Sequence, residues 1–382
     1  MTLFLFLKQF VDMLYRYHWL DYMMVSLVIV MLIYQLLLVR PDIKKHFTIS
    51  DGIIVVLSIL LTFSFLQNWE VYGIYFKVLS AFLMYFVGRV YYDRIQECLG
   101  ALVSAGYCIV YLNFFHRVFQ FGLEFLAVTN ADGDLYYYDT DMAFAMILAM
   151  VFIGMFGRNT LLKCITVFLV CPYMVIYSDA GIQKALLWVV FLLMMIYLVE
   201  KITNKRKMAN GILAVVVIGL LMVVGILLIP VFSEVDSEAL LAPISGGMFN
   251  NEHMVGRYEG WKEAWSHFTG KNPVNQWFGN GLEYPNMGSL YMKNLYSMGY
   301  VGIILMIAFV ASVVYYCVKV KDRKTFYTTI ILAVMLLGTG VTVVSMEATQ
   351  MSWFPMMFSG MVISSVQVEV IGKPEGEEEC EA

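Results

Sequence analysis

The chain is punctuated by apolar stretches, each about as long as a membrane crossing. They occupy residues 22–39, 52–68, 71–90, 98–115, 141–157, 160–177, 181–199, 210–231, 296–317, 326–346 and 350–368. A helix needs about 20 apolar residues to traverse the hydrocarbon core. Eleven such runs leave little chain to build anything else. The expected fold class is an all-α polytopic membrane protein, one integral domain over residues 1–382 with eleven transmembrane helices. Only 14% of residues are charged, against about 25% in a soluble domain, which excludes a chain of soluble domains. Residues 2–19 hold Lys8, Asp12 and Arg16 four apart. That spacing reads as an amphipathic segment at the membrane surface over residues 1–20, and it is also the candidate for a twelfth span.

Basic residues set the orientation. Arg40, Lys44 and Lys45 follow the first span, and Arg89 and Arg94 the third. Arg158 and Lys163 lie between the fifth and sixth, Lys201, Lys205, Arg206 and Lys207 after the seventh, and Lys319, Lys321, Arg323 and Lys324 after the ninth. The alternate connections are poor in lysine and arginine, so the basic loops are expected in the cytoplasm. The acidic tail at 369–382 is then cytoplasmic, and the loops at 116–140 and 232–295 face outward. Loops of that length often carry function.

Several chemistries find no support in the sequence. The six cysteines show no C-x-x-C or Cys/His spacing for a metal. No G-x-x-x-x-G-K-[ST] loop is present to cradle a nucleotide. The start lacks the cationic region and small-residue cleavage site of a signal peptide, and no basic, aromatic-interleaved patch suggests nucleic acid. We expect neither a metal nor a cofactor.

The stretch "GRYEGWKEAWSHFTGKNPVNQWFGNGL" is a polar island inside the second outward loop. Its first part has helical character, ended by Gly270 and Pro273. There His253, Arg257, Trp261 and Trp265 recur every four residues and form one stripe. Tryptophan at a membrane surface commonly serves as an anchor. A planar guanidinium beside aromatic rings also suits a phosphate or diphosphate.

Residues 257–302 resemble the outward loop of the O-antigen polymerase and ligase superfamily, the Wzy and WaaL type. The resemblance rests on Arg257, Trp261, Asn272-Pro273, Gly279 and Gly281, followed by Tyr291-Met292, Leu295, Gly299 and Gly302. The plan of about a dozen spans with one large late outward loop is also similar. The chain departs from that pattern where many members carry a histidine or aspartate just before the Tyr-Leu element, since Gly288 and Ser289 stand there. It also has "YSDAGIQKA" where many members have a Ser-Arg pair, which leaves Lys184 as the substitute cation.

The resemblance implies glycosyl transfer from an undecaprenyl-diphosphate-linked glycan at the outer face of a bacterial cytoplasmic membrane. A chain-length regulator is the partner implied. Such a reaction needs cations at the departing diphosphate and a base for the acceptor hydroxyl. Arg257 is the leading cation, with Lys77, Arg117 and Lys184 as further candidates for binding the lipid diphosphate. The base candidates are His253, Glu252, Glu283, Asp179 and His116. Trp261 and Trp265 could stack a sugar ring, and Tyr284, Asn286 and Tyr291 could bond its hydroxyls. The "YYYDTD" cluster, Tyr136 to Asp141, reads either as sugar-binding surface or as an interfacial aromatic belt. Lys293 and Lys271 read as solvated charges. Three functions stay open: a polymerase, a ligase onto another acceptor, and a flippase or transporter of lipid-linked sugars. The missing histidine counts against the ligase. The absence of a visible internal repeat counts against the transporter.

Overall fold

A helix satisfies its own backbone hydrogen bonds, which hydrocarbon requires, and the apolar stretches fold accordingly. The computed structural model describes residues 1–13, 18–35, 37, 47–121, 139–176, 178, 181–232, 251–281 and 288–371. Among these there is no strand. In order, the helices are α1 Thr2–Met13, α2 His18–Tyr34, α3 Ile49–Gln67, α4 Tyr72–Val90 and α5 Tyr92–Phe121. They continue with α6 Asp139–Phe156, α7 Leu161–Ile176, α8 Gly181–Thr203 and α9 Arg206–Phe232. The last are α10 Asn251–Thr269, α11 Pro273–Phe278, α12 Leu290–Lys319, α13 Arg323–Thr339 and α14 Thr349–Ile371. Within the described residues, each of the eleven apolar stretches overlaps one of these helices. Among the described residues, six helical segments are long and apolar enough to cross a bilayer: Ile49–Gln67, Trp69–Val90, Tyr92–Phe119, Gly181–Thr203, Arg206–Val223 and Leu290–Lys319. Of the expected features, residues 122–138, 233–250 and 282–287 of the two long loops, Arg16, Arg40, Lys44, Lys45, Asp179 and residues 372–382 lie outside the described residues.

The core is built around α14 and α6, whose side chains are buried on nearly every face. α14 packs most extensively on α4. A Cβ at Gly88 would stand 1.9 Å from the Met357 carbonyl oxygen, and one at Gly360 would stand 2.1 Å from that of Tyr85. Small residues at the crossing bring the two backbones together, as helix pairs in lipid require. At the far end of this pair, Asp51 caps α3 with Thr48 and accepts both Nε and Nη2 of Arg89, at 2.9 and 3.0 Å. A second bidentate pair, Arg323 with Glu200 at 2.6 and 2.7 Å, ties α13 to α8.

Two elements differ from the sequence expectation. α1 turns its polar face inward: Lys8, Gln9 and Asp12 are buried while Leu3 and Leu7 are exposed. An amphipathic segment at the water boundary would do the reverse. Here Lys8 pairs with Asp12 and donates to the Thr349 hydroxyl at 3.2 Å, and its ammonium lies 4.5 Å from the Trp353 ring centroid. The second difference is the end of α13. Hydropathy runs on to residue 346, yet the helix stops at Thr339 and residues 340–348 form a succession of turns. The Ser345 hydroxyl bonds the Leu336 carbonyl at 2.9 Å, and the Gly340 carbonyl accepts the Leu290 amide at 2.8 Å. Irregular backbone is tolerated inside the protein because protein groups satisfy it.

Candidate functional site

The loop helix α10 begins at Asn251, so the expected helix is present and Arg257 lies in its second turn. The stripe predicted by four-residue spacing does share one face. Trp261 is 0% exposed, whereas Glu259, Lys262, Glu263 and Ser266 are exposed. That face packs against protein. Tyr258, Trp261, Ala264 and Phe268 form a small separate core with Met292, Leu295, Tyr296 and Val341. Trp261 is therefore corrected from a sugar-stacking residue to an internal one, since a wholly buried ring has no open face. Trp265 is half-buried, stacked on Phe268 with centroids 5.8 Å apart. The Tyr291 hydroxyl donates to the Leu337 carbonyl at 2.7 Å, which fastens α12 to α13.

The turn after α10 explains the glycines of the motif. Asn272 caps α11 by accepting the Asn275 amide at 2.8 Å, with Pro273 in its first turn. Gly279 follows at φ 95°, and a Cβ there would lie 2.0 Å from the Ser297 carbonyl oxygen. Gly299, at φ 67° and ψ −165°, breaks α12, and its Cβ would lie 2.4 Å from the Trp277 carbonyl oxygen. Loop backbone and helix backbone touch at both places, so no side chain fits. The Asn280 amide completes the contact by donating to the Tyr296 carbonyl at 2.9 Å.

This anchoring sets Arg257 against the buried turns at 340–348. Its Nη1 donates to the Thr342 carbonyl and stands 3.7 Å from where a Cβ of Gly288 would be. The guanidinium is half-buried, and desolvation pulls its pKa below the usual arginine value. The same turns carry Glu347. Its carboxylate lies 3.8 Å from the Lys293 ammonium, with side chains 23% and 6% exposed respectively. Lys293 is thus corrected from a solvated charge to a buried one, placed inward by the first turn of α12. Lys77 on α4 also acts on Glu347 and lies 4.0 Å from Asp21. The Thr349 hydroxyl donates to Asp21 at 3.4 Å and links this group to Lys8 and Asp12.

The structure therefore gathers Lys77, which was expected, with Lys293, Glu347, Asp21, Thr349, Lys8 and Asp12, which the sequence had not assigned to a site, while Arg257 reaches the same turns at Thr342. Lys184 sits half-buried in the first turn of α8 and makes no hydrogen bond or ion pair with the described residues. Next to it, Gln183 is wholly buried, with both side-chain polar atoms lacking a hydrogen-bond partner among the described residues. Arg117 is buried on α5, with His116 half-buried beside it. Glu252 and His253 lie in the first turn of α10, within a turn and a half of Arg257 in register; their side chains, like Glu283, Tyr284, Asn286 and Asp179, are outside the described residues. Among the described residues no group of three metal-ligating side chains occurs.

Burial pushes the Glu347 carboxyl upward from the ordinary glutamate value, partly offset by Lys293 and then Lys77. Buried ionisable groups in a membrane protein are costly and mark function. Two lysines beside a carboxylate can support proton exchange, and a half-buried guanidinium held against the same turns can bind an anion. An apolar cavity of about 70 Å³ runs alongside, lined at one end by Leu290 and Asn294 and at the other by Val314 and Cys317. No protein-family profile, curated protein or solved structure matches this chain.

Proposed function

We propose that this protein is a membrane glycosyltransferase that polymerises undecaprenyl-diphosphate-linked repeat units into a surface polysaccharide. In this reading eleven helices span the cytoplasmic membrane and residues 232–295 form a large loop on its outer face. The observation that carries the proposal is Arg257, half-buried against the Thr342 carbonyl on the turns that also carry Glu347, which pairs with Lys293 of α12. The resemblance of residues 257–302 to the polymerase and ligase superfamily supports the same reading. Charge builds on the diphosphate as its bond to the sugar breaks, and fixed cations in a poorly hydrated site stabilise it. Arg257 is aimed at that charge, with Lys293 and Lys77 adding to the local positive potential. The apolar cavity beside Asn294 suits part of a prenyl tail.

A second reading is a flippase for lipid-linked sugars. The run of buried and half-buried polar groups from Lys8 through Thr349 and Asp21 to Lys77 favours it, because transporters use such groups for ion coupling.

Deleting the gene and resolving surface polysaccharide on a gel separates the two. Loss of a polymerase leaves single repeat units attached at the surface, while loss of a flippase leaves none outside. Orientation is checked by labelling in a background without native cysteines. Lys271→Cys is expected to react with a membrane-impermeant maleimide in intact cells, and Lys321→Cys only after lysis. The reverse pattern sinks the proposal.

A further inference from the structure

We propose that Glu347 takes the proton from the acceptor hydroxyl and that Lys293 positions its carboxylate. The inference rests on the polymerase reading and deepens it by naming a base, a role for which the sequence offered His253, Glu252, Glu283, Asp179 and His116 without choosing among them. Three features single out Glu347. It stands on the irregular turns that Arg257 contacts at Thr342, five residues before it, so one short segment carries the base and anchors the diphosphate-facing cation. Its side chain keeps 23% exposure while the neighbouring Lys293 keeps 6%, so Glu347 is the more open partner of the pair. The pair is also loose. At 3.8 Å the ammonium is well beyond the roughly 2.7–2.9 Å of a charge-assisted hydrogen bond, which leaves carboxylate lone pairs available.

The other carboxylates of the cluster are committed. Asp12 is held by Lys8 on its own helix, and Asp21 by Lys77 and the Thr349 hydroxyl. The charged groups around Glu347 are thus Lys293 of α12 and Lys77 of α4, with Asp21 of α2 and the Lys8–Asp12 pair of α1 behind them. Burial favours the protonated carboxyl and the two lysines oppose it, which brings a glutamate toward the range where it can both accept and release a proton.

The acceptor O–H bond breaks and its proton goes to a carboxylate oxygen of Glu347. The freed oxygen forms a bond to the anomeric carbon of the donor sugar. The bond from that carbon to the diphosphate oxygen breaks, and its electron pair leaves with the prenyl diphosphate. The proton then passes from Glu347 to water through its exposed side.

The test uses the full chain in proteoliposomes, with lipid-linked repeat units extracted from the deletion strain as the probe. Wild type, Glu347→Gln, Glu347→Asp and Lys293→Met are compared by polymer yield, by initial rate against pH and by thermal melting. Glu347→Gln is expected to melt like wild type, to keep KM and to lose about 10²- to 10⁴-fold in kcat. Glu347→Asp should retain part of the rate, with the acid limb of its pH profile moved to lower pH. Lys293→Met should move that limb to higher pH. A Glu347→Gln rate within a few-fold of wild type, or a loss confined to KM, overturns the assignment and leaves the polymerase reading intact. If Glu347→Gln fails to fold, an unmoved acid limb in Glu347→Asp overturns it instead. Wild type that makes no polymer from this probe overturns the reading beneath as well.

Discussion

The guanidinium of Arg257 donates to the main-chain carbonyl of Thr342, 85 residues further along the chain. The contact joins a helix of the long loop to the turns between the last two helices, and it orients Arg257 without spending a carboxylate on it. Replacing Arg257 with alanine is expected to reduce polymer formation by about 10²- to 10³-fold, the usual cost of removing one donor to developing charge. Lysine keeps the charge but not the fork, so Arg257→Lys should rescue poorly. Polysaccharide gels of complemented deletion strains check both. Full chain length with Arg257→Ala would remove Arg257 from the site.

Backbone contact at Gly279 and Gly299 makes a second expectation. Gly279→Ala or Gly299→Ala places a methyl within 2.0 or 2.4 Å of a carbonyl oxygen and imposes an unfavourable positive φ. Each should cost about 3 kcal/mol and lower the yield of folded protein. Gly260 in α10 meets nothing within 4 Å of an added Cβ. Gly260→Ala should therefore be neutral or stabilise by about 0.5–1 kcal/mol. Thermal melting in detergent distinguishes the two cases.

Trp261 separates packing from ligand contact. With its ring wholly buried against Tyr258, Trp261→Ala should destabilise the loop by about 3–5 kcal/mol. Trp261→Phe should recover most of the stability with KM unchanged. A raised KM in a stably folded Trp261→Phe would mean that the ring meets substrate after all.

Stability should also depend on pH through Glu347. Its folded pKa is raised from the ordinary 4.5. Between those values the folded chain holds a proton that the unfolded chain releases, so stability falls as pH rises across the window. The contribution is greatest below about pH 4.5 and is lost once Glu347 ionises in the folded state too. Glu347→Gln should flatten this part of the melting-temperature profile. An unchanged slope in the variant would show that other groups cause it.

Much of the architecture was legible because hydropathy is a local property, so each apolar run lands on a helix. The end of α13 was not, because Val341, Val343, Val344 and Met346 extend the apolar run while a hydroxyl from Ser345 and an amide from Leu290 terminate the helix through tertiary contacts. The stripe of Arg257, Trp261 and Trp265 was legible as a face, since four-residue spacing is geometric. Which way that face pointed depended on Met292, Tyr296 and Val341, distant in sequence. Lys293 and Glu347 were invisible for the same reason. Each lies in polar sequence resembling a loop, and only the packing of α12 against the turns at 340–348 makes them a pair.

The break at Gly299 bears on how the protein tolerates bilayers of different thickness. Residues 290–298 are clamped at both ends, by the Gly340 carbonyl on Leu290 and by the Gly279 turn on Ser297. The apolar length beyond the break is joined to them through a single non-helical residue. Hydrophobic mismatch is accommodated by helix tilt, and a break at that position is expected to confine such tilting to the apolar length beyond it and leave Lys293 in place beside Glu347.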